Sequence, residues 1–155
     1  MVLIIRPTTA DDWQQVRELR LEALADTPLA FAEHLADALE VDEAGWRLRA
    51  ARGAAVAIDG DRWVGTMGGY LSPEGPLLVG VYVTPSHRGS SVASDLLAAI
   101  ETWARGQGDF LLLHVHELNP RAIAFYERSG YERTGLTVPY VLDESQLEFE
   151  MIKRF

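Results

Sequence analysis

The apolar positions of the chain keep two rhythms, and the change falls near residue 54. The opening run "VLIIRP" is too short for a helix and rich in β-branched residues, so it predicts a first strand. In "TADDWQQVRELRLEALADTP", Trp13, Val16, Leu19, Ala23 and Leu24 recur at helical spacing. Thr9 is an N-cap with Asp12 three residues on, and Pro28 lies just past the helix end. Residues 31–39 and 43–51 read as further helical turns.

From residue 54 the pattern is that of strands. "AAVAID" and "RWVGTMGGYL" flank the hairpin signal Asp59-Gly60-Asp61, and a Pro- and Gly-rich turn at 72–76 leads into "LLVGVYV". Val92, Leu96, Leu97, Ile100 and Trp103 mark one face of a helix ending near Gly106. "DFLLLHVH" reads as a buried strand. "NPRAIAFYERSG" reads as a short helix with Asn119 as N-cap, Pro120 at its first position and Gly130 as stop. "YERTGLTV" and "LEFEMIKRF" complete the set as two strands. No linker or repeat interrupts the order, which predicts one α/β (α+β) domain over residues 1–155, built around a central sheet.

Between strand and helix, "VYVTPSHRGSSVASDLL" breaks the pattern. A helix N-terminus has unpaired N–H groups and the positive end of the helix dipole. Gly89, Ser90, Ser91, Ala93 and Ser94 are small enough to let a phosphate reach those donors, and Arg88 adds a fixed positive charge. The alternative is an ordinary loop with a Ser-rich cap.

Composition narrows the classes. The chain has 155 residues, 48% of them apolar and 24% charged, with a formal charge of −9. That charge argues against nucleic acid as a partner and suggests cationic small molecules drawn to an acidic cleft. The absence of cysteine excludes disulfides, thiolate metal sites and a cysteine nucleophile. The first residues carry no basic flank or cleavage site, and no apolar run reaches membrane-spanning length, so a cytoplasmic protein is expected.

Two motifs together resemble the GNAT (Gcn5-related N-acetyltransferase) superfamily. The first holds Val83, Pro85, Arg88, Gly89, Val92, Ala93, Leu96 and Leu97; the second holds Asn119, Ala122, Phe125, Tyr126, Gly130 and Tyr131. "IRPTTADDW" and the segment from "RLEAL" to "PLAF" also look like openings of this family, so the likeness spans the chain. One position departs, because Ser91 stands where a second Gly is usual. A positive φ there would carry a steric penalty, whereas ordinary helical geometry would not.

The resemblance implies a mixed, mostly antiparallel sheet with helices on both faces. Its two parallel strands, "LLVGVYV" and "DFLLLHVH", would splay apart around acetyl-CoA, the acetyl donor. Main-chain groups of Val81 and Val83, with Tyr82 between them, would pair with the pantetheine arm. Amides of Arg88, Gly89, Ser90, Ser91, Val92, Ala93 and Ser94 would hold the pyrophosphate, and Asn119 and Ala122 would contact pantetheine. A main-chain N–H on the splayed strand would stabilise the tetrahedral oxyanion. Tyr126 would sit near the thioester sulfur as general acid, the alternative being a core aromatic beside Phe125.

Many relatives carry a Glu on the strand before the loop, and "LLVGVYV" has no acid. Candidate bases are Glu22, His114, His116 and Glu117, the two histidines sharing a sheet face by strand periodicity. A third metal ligand is missing beside that pair, so no metal is expected. Trp13, Glu22, Phe31, Trp46 and Tyr70 are candidates for lining the acceptor pocket, or else ordinary core. The function implied is acetyl transfer to a primary amine of a small molecule or peptide, the acceptor cationic and a homodimer the suggested assembly. The alternative is a non-catalytic acyl-CoA-binding module.

Overall fold

The computed structural model describes residues 2–155. A single seven-stranded sheet runs through it in the order β1-β2-β3-β4-β5-β7-β6. The strands are β1 (Leu3–Pro7), β2 (Ala55–Asp59), β3 (Arg62–Ser72), β4 (Gly75–Val83), β5 (Phe110–His116), β6 (Glu132–Tyr140) and β7 (Asp143–Arg154). The helices are α1 (Trp13–Asp26), α2 (Leu35–Leu39), α3 (Glu43–Ala50), α4 (Val92–Arg105) and α5 (Pro120–Arg128). All strand pairs are antiparallel except β4 with β5. The mixed sheet expected from the family likeness is therefore present.

Helix α1 starts later than its sequence pattern suggests, because residues Ala10–Asp12 form a 3₁₀ turn first. The predicted cap is in place: Thr9 N–H donates to Asp12 Oδ2 at 2.8 Å, and Arg6 donates to both oxygens of the same carboxylate. The β3–β4 and β6–β7 hairpins are tighter and longer than the apolar runs indicate. β6 is an edge strand exposed along most of its length, so no alternation of apolar residues marks its extent.

Two apolar cores lie on opposite faces of the sheet. On one, α4 and α5 bury Val92, Leu96, Leu97, Ile100, Ala104, Ile123 and Tyr126 against β3 and β5. Each large side chain so buried stabilises the fold by roughly 1.5–3 kcal/mol relative to exposure. α4 approaches β3 closely: a Cβ on Gly69 would lie 2.5 Å from the Trp103 ring, and one on Gly65 would lie 3.0 Å from Leu96 and Val92. Glu101, buried on α4, accepts from Tyr131 Oη at 2.8 Å and from Lys153 Nζ at 3.1 Å, so its charge is satisfied. On the other face α1, α2 and α3 enclose Leu19, Ala23, Leu24, Phe31, Trp46 and Tyr82. No helix among the described residues is long and apolar enough to cross a membrane.

Candidate active site

Strands β4 and β5 run side by side at Leu77–Leu112 and Leu78–Leu113, and then their ladder stops. Both strands continue, β4 to Val83 and β5 to His116. The cause lies on β4, where Met67 of β3 faces two residues, Gly80 and Val81, and Gly80 has φ +63°. A bulge of this kind bends its strand and increases its twist, and only glycine takes that backbone without strain. Past the bulge the facing strand edges carry main-chain donors and acceptors with no ladder between them among the described residues. An extended amide-bearing chain placed there would satisfy them.

The loop from Thr84 to Ser91 closes one end of the gap. Pro85–His87 form a 3₁₀ turn, and His87 is fixed by Asp59 and Ser86, each at 2.9 Å. Gly89 has φ +77° and empty space around its Cβ position, so the left-handed residue of the loop is this glycine. Ser91 has φ −75° and ψ −6°, ordinary right-handed geometry in which serine carries no steric penalty. The amides of Gly89, Ser91, Ala93 and Ser94 meet no acceptor among the described residues. Ser90 Oγ accepts from the Val92 amide at 3.3 Å, while Ser94 Oγ donates to the Ser91 carbonyl at 3.0 Å. Four free N–H groups at the start of a fourteen-residue helix form a cradle suited to an anion.

A cleft of about 220 Å³ lies between this loop and α5, lined by Val81, Tyr82, Val83, Gly89, Ala93, Asn119, Ala122, Phe125 and Tyr126. Arg88, Arg121 and Arg128 line it too, with no acidic side chain among the lining residues. In a chain of net charge −9, this is a local reversal of sign. Arg121 and Arg128 escaped the sequence reading, although both stand inside the quoted segment "NPRAIAFYERSG". Asn119 caps α5 by accepting from the Ala122 amide at 3.3 Å. Free amides, guanidinium groups and unpaired strand edges fit a phosphorylated, amide-bearing chain of the coenzyme A type.

Tyr126 is buried at 5% exposure, edge-on to Phe125 and Tyr131, and its hydroxyl has no hydrogen-bond partner among the described residues. Burial pushes its phenol well above the ordinary value, so it stays protonated. Tyr126 is thus both a core residue and a wall of the cleft. Tyr82 lines the same cleft while its ring packs in the α1-side core, its hydroxyl donating to Glu22 Oε2 at 2.7 Å.

On the α1–α3 side lies a larger cavity of about 890 Å³, bounded at the sheet by Val79 and Gly80. Of the residues named for the acceptor pocket, Phe31, Trp46 and Tyr70 line this cavity, whereas Trp13 packs beneath Arg47 and does not. Its charged lining consists of Arg20, Arg49 and Arg52 with Glu33 and Asp37, so the expected acidic cleft is not found there. The excess of acidic residues lies elsewhere on the molecule.

None of the four candidate bases lines either cavity. Glu22 holds Tyr82, and Glu117 accepts from the Leu147 amide at 3.2 Å. His116 is buried, with Nδ1 accepting from the Leu118 amide at 3.0 Å and Nε2 facing Gln146 Oε1 at 2.7 Å. Its lone pair is therefore already used, and protonation would break a main-chain hydrogen bond. His114 is exposed on the same face, 3.5 Å from Glu150. No group of three His, Cys, Asp or Glu able to hold a metal occurs among the described residues.

The profile described as "Acetyltransferase (GNAT) family" matches residues 13–131. The mouse protein "Probable N-acetyltransferase family 8 member 5" is 33% identical over 127 residues, covering 76% of this chain. The chain spans 55% of that protein's length. Among solved structures, yncA from Salmonella typhimurium, a putative acetyltransferase with acetyl-CoA, has a TM-score of 0.76 at 18% identity, covering 99% of this chain and 94% of that one. Naa50 of Arabidopsis thaliana, in complex with a bisubstrate analogue, has a TM-score of 0.73 at 20% identity, covering all of both chains. The chain belongs to the GNAT acetyltransferase family.

Proposed function

We propose that the chain is an acetyl-CoA-dependent N-acetyltransferase acting on a primary amine. The observation that carries this reading is the interrupted β4–β5 ladder ending at a cradle of free amides. Family membership supports it, as do the ligands named for the two solved relatives, acetyl-CoA and a CoA bisubstrate analogue.

In this reading the edges of β4 and β5 bind the pantetheine amides. The amides of Gly89, Ser91, Ala93 and Ser94, with Arg88, Arg121 and Arg128, bind the phosphates. Acetyl-CoA supplies an activated acetyl group. The amine nitrogen forms the C–N bond, the thioester C–S bond breaks, and the Tyr126 hydroxyl gives its proton to the departing sulfur. The phenolate recovers a proton from the one the amine sheds. Amine and acetyl-CoA thus yield amide and free CoA thiol. Burial keeps the Tyr126 phenol protonated, so the proton is present on the hydroxyl when the sulfur departs.

The test is to incubate the protein with acetyl-CoA and a panel of amines, and to detect acetylated product by mass spectrometry. Product mass increased by one acetyl group is expected. Binding of CoA with no acetylated amine would favour the non-catalytic module instead.

A further inference from the structure

The larger cavity contains a positive charge with unused donors. Arg20, on α1, spends only its Nε on the protein, donating to Glu33 Oε1 at 3.0 Å. Its two terminal nitrogens have no acceptor among the described residues, and its side chain is 26% exposed. Glu33 does not neutralise it alone, because Arg49 binds the same carboxylate at two points, 3.0 and 2.7 Å. Two guanidinium groups thus share one carboxylate. Burial tends to raise the Glu33 pKa, yet the bonds from Arg49 and Arg20 outweigh it and hold the carboxyl below its ordinary value, fully charged at neutral pH.

The position of the spare charge matters. Arg20 Nη1 lies 3.9 Å from the place a Cβ would occupy on Gly80, at the bulge that opens β4 from β5. The guanidinium also lies over the Phe31 ring, its central carbon 4.5 Å from the ring centre. A planar fork fixed at one nitrogen and resting against an aromatic ring is preorganised for a carboxylate. A neutral amine would leave those donors desolvated and unpaired.

We propose that Arg20 binds a carboxylate of the acceptor, so that the acceptor is a free amino acid or a close derivative rather than a polyamine or a peptide N-terminus. This rests on the acetyltransferase reading and takes the larger cavity, which reaches the β4 bulge at Val79 and Gly80, as the acceptor's. Because Arg20 Nη1 is this near the bulge, an acceptor whose carboxylate pairs with it keeps its amine at the sheet only when a short carbon link joins the two groups. Val16, Leu19, Phe31 and Trp46 of the same cavity favour an apolar side chain on that acceptor.

The test compares L-leucine, L-phenylalanine and L-methionine with their carboxamides and their decarboxylated amines as acceptors, using acetyl-CoA and the full chain. The free acids are expected to have the higher kcat/KM, by about 10- to 100-fold. Arg20→Gln should remove most of that preference by raising KM for the acids with little change in kcat, and Arg20→Lys should restore part of it. Carboxamides or plain amines used as well as the acids would overturn the proposal and leave acetyl transfer intact. So would an equal loss for all acceptors in Arg20→Gln, which marks a structural strut. If no probe is acetylated, thermal shift decides. Stabilisation of the CoA-loaded protein by the acids that Arg20→Gln abolishes would support the anion site, and no such stabilisation would overturn it, the transfer reading being decided by the amine panel in either case.

Discussion

Arg88 Nε donates to the Val83 carbonyl at 3.1 Å, and its Nη2 pairs with Asp26 at the end of α1. The residue meant for the pyrophosphate is thus tethered to the last residue of β4 and to the helix on the opposite face. Arg88→Ala should weaken CoA binding by about 10- to 100-fold, the worth of a charge-assisted hydrogen bond, while changing kcat far less. Asp26→Asn should do the reverse and tighten CoA binding severalfold, since it frees the guanidinium. Calorimetric titration of both variants checks the pair.

Tyr126→Phe removes one hydroxyl from a site where it has no protein partner. Its loss should lower kcat by about 100-fold or more, in the range of general acid catalysis, with CoA affinity unchanged within about twofold. Because burial raises the pKa of this phenol, it stays protonated through pH 10. The rate should therefore rise with pH as the acceptor amine loses its proton, without an alkaline fall before pH 10. A pH–rate profile in wild type and variant reads both effects.

Gly69→Ala tests how α4 is seated. Its new Cβ would lie 2.5 Å from the Trp103 ring, so helix and strand must separate. A loss of about 1–3 kcal/mol is expected, seen as a lower Tm. Trp103→Leu in the same chain should recover part of it. Since α4 carries the amides of the cradle, CoA affinity should fall with the helix displaced.

Asp12 links the first turn to pH. The bonds from Arg6 and from the Thr9 amide outweigh its partial burial and hold its carboxyl at about 2. A depressed folded pKa means stability present above the unfolded value and lost as pH falls toward 2. Asp12→Asn should therefore destabilise the chain by about 1 kcal/mol at pH 7, and the difference should shrink between pH 4 and 2. Chemical denaturation across that range measures it.

The elements and the loop cradle were legible because local chemistry specifies them. Small residues and a Gly in "SHRGSSVAS" announce a loop opening a helix, and the left-handed residue is Gly89, so Ser91 carries no strain. The splay was legible only through family likeness, although its physical agent, Gly80, sits in plain view within "LLVGVYV". What sequence could not supply were pairings between distant segments. Arg20, Glu33 and Arg49 converge from three parts of the chain, and His116 finds Gln146 across β7. Periodicity placed His114 and His116 on one face, but nothing in it could show that a main-chain amide already occupies the His116 lone pair.

The most direct measurement is calorimetric titration of the full chain with acetyl-CoA. Saturable one-to-one binding in the micromolar range, weakened in Arg88→Ala and retained in Tyr126→Phe, is the predicted result. No heat of binding at millimolar acetyl-CoA would contradict the assignment of the β4–β5 gap to the acetyl donor.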